Sequence, residues 1–431
     1  MTDFALARVL LWDHFVGVVA ESEDGKRIFE YADDFRRSGL EISPLELPAS
    51  LSGPRTFPEL VRSSTFEGLP GVIADSLPDR FGSQLIQAHF DRDGLGNPVT
   101  PVQKLLYIGS RGPGALRYEP AESRAPGNEE ALEVRELVHQ ARRVIEGRTD
   151  EAIAEIIRVG ATAGGARPKA LVLWNRTTDR LRSGHLPPEP DEEHWIIKFD
   201  GVTRSSAGLE NQVTSDSSPW GRLEYAYSRM ARDAGIQMEE THLLQDGPLA
   251  HFMTRRFDRR GGDPVERTHL HSLGGLLHLD YNDQYQIGYE QYFDAIRALG
   301  LGQPAIQEAF RRMVFAVATV NYDDHLKNHA FLMDQAGRWQ LSPAYDLSFA
   351  ENDAWTRQHQ MSIANTFRGI TRDHLLKVGH LFDLEGKAVQ IVDAVLEAVG
   401  GWDRYAGEAG LDAEVRRQIG SRLDREMAPL R

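Results

Sequence analysis

Between residues 8 and 50 apolar and polar positions alternate in short runs, VLLWDHFVGVVAE and KRIFEYADDF, broken by Asp24-Gly25. A period of two predicts strands, so this stretch reads as a small β-rich unit. From about 55 to 110 the spacing becomes helical, with GLPG (Gly68 to Gly71) and RGPGAL (Arg111 to Leu116) as punctuation. EPAESRAPGNEE is too polar to build a core and predicts a linker, and VRELVHQARRVIE behind it has helical spacing. Residues 160 to 200 read as short strands around a glycine-rich turn: GATAGGARPK, ALVLWN and HWIIKFD. Past residue 221 helical periodicity dominates. The exception is AFLMDQAGRWQLSPAYD, two short runs around Asp334 to Gly337 that predict a β-hairpin. The expected fold class is α+β, with domains at 1–120, 121–150 (linker and helix), 151–258 and 259–431.

Length agrees with several domains, because single cores stop growing near roughly 250 to 300 residues and this chain has 431. Apolar residues make up 41% and charged residues 26%, the balance of a folded globular protein. The opening MTDFALARVLLWDHF carries charges inside a short apolar stretch, unlike a signal peptide, and no segment has the run of uncharged apolar residues of a membrane span. Cysteine is absent, which excludes disulfides and thiolate chemistry. A cytoplasmic protein with no membrane partner is expected. The 64 acidic residues outnumber the 49 basic ones, so a phosphate backbone repels the average surface. Local basic patches remain open at RRFDRR (Arg255 to Arg260) and at Arg142, Arg143 and Arg148.

The densest chemistry lies in VNYDDHLKNHAFLM, where a long apolar helix ends just before a predicted strand. Asp323 and Asn328 have the D-x4-N spacing with which protein kinases aim a carboxylate at the nucleophile and an amide oxygen at Mg2+. Across the hairpin Asp346 takes the place of the second metal-binding residue, with Leu347 and Ser348 where kinases have Phe and Gly. The order helix, D-x4-N, hairpin, Asp is far more specific than the spacing alone. Asp323 rather than Asp324 has the right offset; Asp324 is expected to cap a helix or to be a solvated neighbour. His325 and His329 are four apart, as zinc ligands on a helix would be, but the glutamate of a metalloprotease helix is missing between them. His325 is expected to orient the loop and Lys327 to balance phosphate charge.

Upstream, Lys198 sits in the apolar strand HWIIKFD, and a buried ammonium needs an anion. A phosphate would serve, with Glu224 as the helix glutamate that kinases pair with such a lysine; a snorkelling strand-end lysine is the plainer alternative. The glycines of GATAGGARPK offer backbone N–H groups for phosphates, though the segment is neither a Walker A loop nor G-x-G-x-x-G.

Together these residues resemble the HipA-type serine/threonine kinases of bacterial toxin–antitoxin modules. The resemblance runs nearly end to end: VGVVAESEDGKRIFEYADDF, FEGLPGVIADSLPDRFG and LLYIGSRGPGALRYEP are similar to the family's N-terminal domain, and GGARPK, IIKF, RRFDR, NYDDHLKNHAF and PAYDLS to its kinase core. It implies a bilobal protein-kinase-like fold whose N-lobe-like region is 151–258 and whose helical C-lobe is 259–431. It further implies that Ala163, Gly164, Gly165, Ala166, Arg167 and Lys169 form the ATP-phosphate loop, that Lys198 contacts the phosphates and that Arg255 to Phe257 lies at the hinge beside adenine. His325, Lys327 and Tyr345 join the nucleotide-binding set; Asp323 is the base, and Asn328 and Asp346 hold Mg2+. Thr162 occupies the self-silencing autophosphorylation position, where many relatives have Ser. Tyr322 replaces the family's Thr, a change expected to bear on substrate access. The implied partners are a helix-turn-helix antitoxin of the HipB type, operator DNA reached only through that antitoxin, and an aminoacyl-tRNA synthetase as protein substrate. The competing readings are a catalytically silent, antitoxin-bound corepressor and a kinase for a small molecule.

Overall fold

The alternating N-terminal run forms strands β1 (Leu6–Leu11), β2 (His14–Glu21) and β3 (Arg27–Tyr31). What reads as one run, VLLWDHFVGVVAE, is two strands, because the chain reverses at Trp12, whose φ is +51°. The computed structural model describes residues 5–92, 98–121, 134–145, 168–201, 219–262, 264–284 and 287–431. The chain divides into one unit comprising Met1–Thr203, Met253–Asp280 and Phe331–Arg338, and a second comprising Arg204–Phe252, Tyr281–Ala330 and Trp339–Arg431.

In the first unit β4 (Leu116–Glu119) completes an antiparallel sheet of order β3-β2-β1-β4. Alternate residues of β1, namely Ala7, Val9 and Leu11, are fully buried, as period-two patterning requires. The helical stretch yields Arg80–Arg92 and Pro101–Ile108. The second of these begins with a capping box in which Thr100 accepts from the Gln103 amide at 3.3 Å and the Gln103 side chain accepts from the Thr100 amide at 2.9 Å. Gly71 of the GLPG motif permits a backbone approach, since a Cβ there would lie 1.9 Å from the Gly275 carbonyl oxygen. Further on, β5 (Lys169–Asn175), β6 (Arg180–Ser183) and β7 (Glu192–Lys198) form antiparallel pairs in the order β6-β5-β7.

The middle of RRFDRR is interior rather than part of a basic surface patch: Arg256 and Arg259 are only 6% and 5% exposed, while Arg255 is half-buried and Arg260 exposed. Asp258 lies between them, accepting from Arg256 at 2.9 and 2.8 Å, from Arg259 at 2.9 Å and from the Gly114 amide at 2.8 Å. Arg259 in turn donates to the Gly112 and Gly114 carbonyls at 2.8 and 2.6 Å, so the RGPGAL turn is gripped from both polarities. Burial raises the Asp258 carboxyl, and the two guanidinium groups reverse this and hold it well below the usual carboxylate range. The side chains of Arg142 and Arg143, and all of Arg148, lie outside the described residues.

The second unit is mainly helical: Trp220–Asp233, Tyr289–Ala298, Gly302–Ala318, Arg372–Leu381, Glu385–Gly400, Trp402–Glu408 and Ala413–Met427. Helix Gly302–Ala318 runs through its core, with Phe310, Met313, Val314, Phe315 and Val317 at 0% exposure. The purely helical expectation past 221 misses β8 (Thr241–Asp246) and β9 (Leu249–Arg255), which turn at Asp246-Gly247. That dipeptide is itself a hairpin signal. The hairpin expected around Asp334 is present, closed by Asp334 N–H to the Arg338 carbonyl (3.1 Å) and Ser342 N–H to the Ala330 carbonyl (2.9 Å).

Asp258→Asn leaves two buried arginines short of one negative charge, and breaking such a network costs about 3 kcal/mol. The expected result is a thermal midpoint lower by about 6–12 °C, read by calorimetry.

Candidate functional site

The site of the second unit begins where helix Gly302–Ala318 stops. Asn321 N–H bonds the Ala316 carbonyl at 2.9 Å and Val320 N–H the Val317 carbonyl at 3.3 Å, a Schellman ending that needs a left-handed residue at Val320. Val320 supplies it at φ +54°, a conformation costly for a β-branched side chain. The chain leaves the helix sharply and pairs with the segment beyond Asp346: Tyr322 N–H donates to the Ala350 carbonyl at 3.1 Å, and Ala350 N–H to the Val320 carbonyl at 3.0 Å.

The two neighbouring aspartates then part company. Asp323 keeps 41% of its side chain exposed. One oxygen, Oδ1, accepts from the Trp355 indole N–H at 2.8 Å and lies 3.9 Å from His325 Nε2. Asp324 is only 3% exposed, which corrects the expectation of a cap or a solvated neighbour. It accepts from the Tyr289 hydroxyl (2.9 Å), His359 Nδ1 (2.8 Å) and the Gln360 amide (2.7 Å), donors that lie far off in sequence. Burial pushes its carboxyl up, but the His359 imidazole and these hydrogen bonds more than offset that, and it titrates below its ordinary value.

Asn328 ends the loop. Its Nδ2 donates to the Asp323 carbonyl at 2.7 Å, which fixes the amide and turns Oδ1 into the available acceptor. Tyr345 donates from its hydroxyl to the Lys327 carbonyl at 2.7 Å and so ties Asp346 to the same loop. Asp346 has φ +54°, a strained conformation of the kind found at functional sites. The chain reaches it through a buried pair, with Arg312 bonding Glu308 at 2.9 Å and the Ser342 carbonyl at 2.8 Å. A cavity is lined by Asn328, Asp346, Asp324, His329 and Tyr289. His329 packs on Tyr292 at 4.6 Å, and burial drives its pKa down to about 3, so it is neutral there. Beside Arg312 and His329, the lining includes the Asn328 amide and the Asp346 carboxylate, oxygen donors of the hard kind that could serve Mg2+, which takes one or two carboxylates and completes its shell with phosphate and water oxygens.

In the same unit His325 packs against Tyr281 at 4.8 Å and Lys327 Nζ lies 5.9 Å from that ring's centroid. Glu224 is buried on helix Trp220–Asp233. Lys169, Lys198, Arg255 and Phe257 belong to the first unit. Lys169 and Lys198 stand directly opposite each other on β5 and β7. The Phe199 amide bonds the Pro168 carbonyl at 3.1 Å, which makes them a non-hydrogen-bonded pair with side chains close together on one face. Arg255 lies 3.5 Å from Glu193. Thr162, Ala163, Gly164, Gly165, Ala166 and Arg167 lie outside the described residues.

Tyr322 does not face a substrate path. It is 1% exposed and packs on His359 at 4.7 Å. Its hydroxyl accepts from Arg422 at 2.9 Å, and Arg422 also holds Glu351 at 2.8 Å. The sequence reading missed Trp355, His359 and Arg422 altogether; no spacing signal connects them to residue 323. One cluster in the first unit has the bonding order of a hydrolase relay, Asp75 Oδ2 to His271 Nδ1 at 2.7 Å and His271 Nε2 to Ser43 Oγ at 3.0 Å. Ser43 and His271 have no exposure, and Asp75 also bonds Ser272, so this is an internal latch.

Comparison with known proteins places this geometry in a family. The HipA N-terminal domain profile matches residues 7–119, and the HipA-like C-terminal domain profile matches residues 161–402. The fold class is the mixed α/β, kinase-like one, and the chain belongs to the HipA family. Y4dM of Sinorhizobium fredii, which bears a provisional kinase name, is 23% identical over 91% of this chain and 88% of its own length. A Haemophilus influenzae protein with the same provisional naming is 28% identical over 35% of this chain and 48% of its own. Among solved structures, a chain of the Shewanella oneidensis MR-1 toxin–antitoxin complex of HipA, HipB and operator DNA aligns with TM-score 0.67 at 17% identity, covering 97% of both chains.

Asp324→Ala removes one partner of a buried charged network and is expected to cost about 3 kcal/mol. Because the folded carboxyl titrates below the unfolded one, its contribution is complete above about pH 5 and is lost as the pH falls below about 4. Urea titrations at pH 7 and pH 3.5 check this: the gap between wild type and Asp324→Ala is expected to narrow at the lower pH.

Proposed function

We propose that this protein is an ATP- and Mg2+-dependent serine/threonine kinase acting as the toxin of a toxin–antitoxin pair. The observation that carries this reading is the single loop in which Asp323 exposes its carboxylate while its backbone carbonyl orients the Asn328 amide, with Asn328 and Asp346 lining one cavity. Asp323 accepts the proton of the attacking hydroxyl, and Asn328 and Asp346 present oxygens to the metal. When bound, Mg2+ neutralises charge on the phosphates. Lys169 and Lys198 hold phosphate oxygens, supported by their opposed placement on β5 and β7. Glu224 is the helix glutamate of the nucleotide-binding set, to which Arg255, Phe257, His325, Lys327 and Tyr345 also belong. The phosphate loop runs from Ala163 to Lys169 and the self-silencing site is Thr162, a reading supported by the family resemblance.

The partner is a helix-turn-helix antitoxin of the HipB type, which brings the pair to operator DNA; the Shewanella complex with HipB and operator DNA supports it. An acidic chain fits that division of labour, since the antitoxin supplies the phosphate contacts. The protein substrate is an aminoacyl-tRNA synthetase, and its phosphorylation halts translation in the cytoplasm. Among the described residues no helix is long and apolar enough to cross a membrane.

Incubation with γ-labelled ATP, Mg2+ and a cytosolic extract is expected to label a discrete protein band. Asp323→Asn is expected to lower the labelling rate by about 100-fold or more, and Asp346→Asn to abolish it, with far-UV circular dichroism unchanged. Full labelling by Asp323→Asn removes the base assignment. After ATP treatment, mass spectrometry is expected to find phosphate on Thr162 that Thr162→Ala lacks; phosphate only elsewhere rules out that control.

A further inference from the structure

Residues 352–360 grip both neighbouring aspartates at once. His359 and the Gln360 amide hold Asp324 inside, at 2.8 and 2.7 Å, while Trp355 reaches Asp323 from the same segment. The segment is built rather than loose. Asn352 Oδ1 accepts from the Ala354 and Thr356 amides at 2.8 and 3.0 Å, and Asn352 N–H returns to the Thr356 carbonyl at 3.1 Å. The Trp355 carbonyl accepts from the side chains of Gln360 at 2.8 Å and Gln284 at 3.2 Å. Tyr281 closes the indole's edge, with ring centroids 6.2 Å apart at 82°.

An exposed carboxylate on a short loop turns freely about its side-chain bonds unless something holds one oxygen. Here the indole N–H holds Oδ1, and among the described residues no hydrogen bond reaches Oδ2, while 41% of the side chain stays exposed. One oxygen is fixed and the other is presented. The indole N–H occupies one lone pair of Oδ1 and cannot itself take a proton, so Oδ2 is the oxygen left fully open to the substrate's proton. We infer that Trp355 is a positioning residue, whose indole N–H orients the Asp323 carboxylate so that Oδ2 meets the hydroxyl to be phosphorylated. This inference rests on the reading of Asp323 as the base.

The test uses the full chain with Mg·ATP, following phosphate release to water and transfer to dephosphorylated casein. Trp355→Phe keeps an aromatic ring and removes the donor. A hydrogen bond to a charged group is worth a factor of about 10 to 100 in rate when it acts in the transition state. The expected result is a kcat lower by that factor with KM for ATP within about twofold. Benzothienylalanine at position 355 has the shape of tryptophan without its N–H and is expected to reproduce the loss, whereas 7-azatryptophan, which keeps the N–H, is expected to restore turnover. A packing role predicts the opposite pattern, with benzothienylalanine fully active, and that result overturns the inference. So does Trp355→Phe with unchanged or faster turnover, which makes the contact neutral or a restraint. Asp323→Asn separates the two levels: if it is inactive while Trp355→Phe is normal, only the positioning role fails, and if it is fully active the base assignment fails and takes the positioning role with it.

Discussion

Burial of one carboxylate, Asp324, sets the geometry of the loop that carries Asp323 and Asn328. A carboxylate at 3% exposure is tolerable only when its lone pairs are occupied, and Tyr289, His359 and the Gln360 amide occupy them. Those three donors come from a helix start and from a segment beyond Asp346, so fixing Asp324 draws both toward the loop. Neighbouring side chains on a non-helical stretch diverge, and with Asp324 pointing inward its neighbour Asp323 faces solvent. The exposed carboxylate therefore depends on the hidden one.

Two strained backbone positions frame this arrangement. Val320 and Asp346 both adopt positive φ, and each is held by bonds its neighbours make. Around Val320 the helix-ending amides and the Ala350 contacts leave no other path for the chain. Around Asp346 the Tyr345 hydroxyl on the Lys327 carbonyl and the Arg312 grip on Ser342 fix the approach on one side. On the other, Arg422 from the C-terminal helix fastens Glu351 and, through Tyr322, the loop itself. Strain of this size persists only where surrounding bonds over-determine it, and here they do.

Much of the fold was legible because its signals are local. Period-two alternation marked β1 to β3, helical spacing marked 302–318, and Asp334 to Gly337 marked a hairpin. Order along the chain put Asp323, Asn328 and Asp346 forward together, and the structure brings Asn328 and Asp346 to one cavity and ties Asn328 to the Asp323 carbonyl. Asp324 was misjudged because its partners at 289, 359 and 360 are remote, and nothing at 324 itself distinguishes an anchor from a cap. Tyr322 was misjudged for the same reason, its partner being Arg422 on the C-terminal helix. The opposition of Lys169 and Lys198 needed the β5–β7 register, which composition cannot give. β8 and β9 are a different failure: Asp246-Gly247 announced them, and the helical text on either side outweighed it.

The internal latch of Ser43, His271 and Asp75 shows why bonding order alone does not make a site. Its distances match those of a working relay, yet the serine has no exposure and no reacting atom can reach it. There the hydrogen bonds satisfy polar groups that folding has taken from water, and their service is to the first unit's interior. At Asp323 the same kind of bond has another consequence, because only one oxygen is engaged and the side chain stays 41% exposed. Exposure of one acceptor, with the other held by Trp355, separates a carboxylate that can take a proton from one that can only hold a fold together.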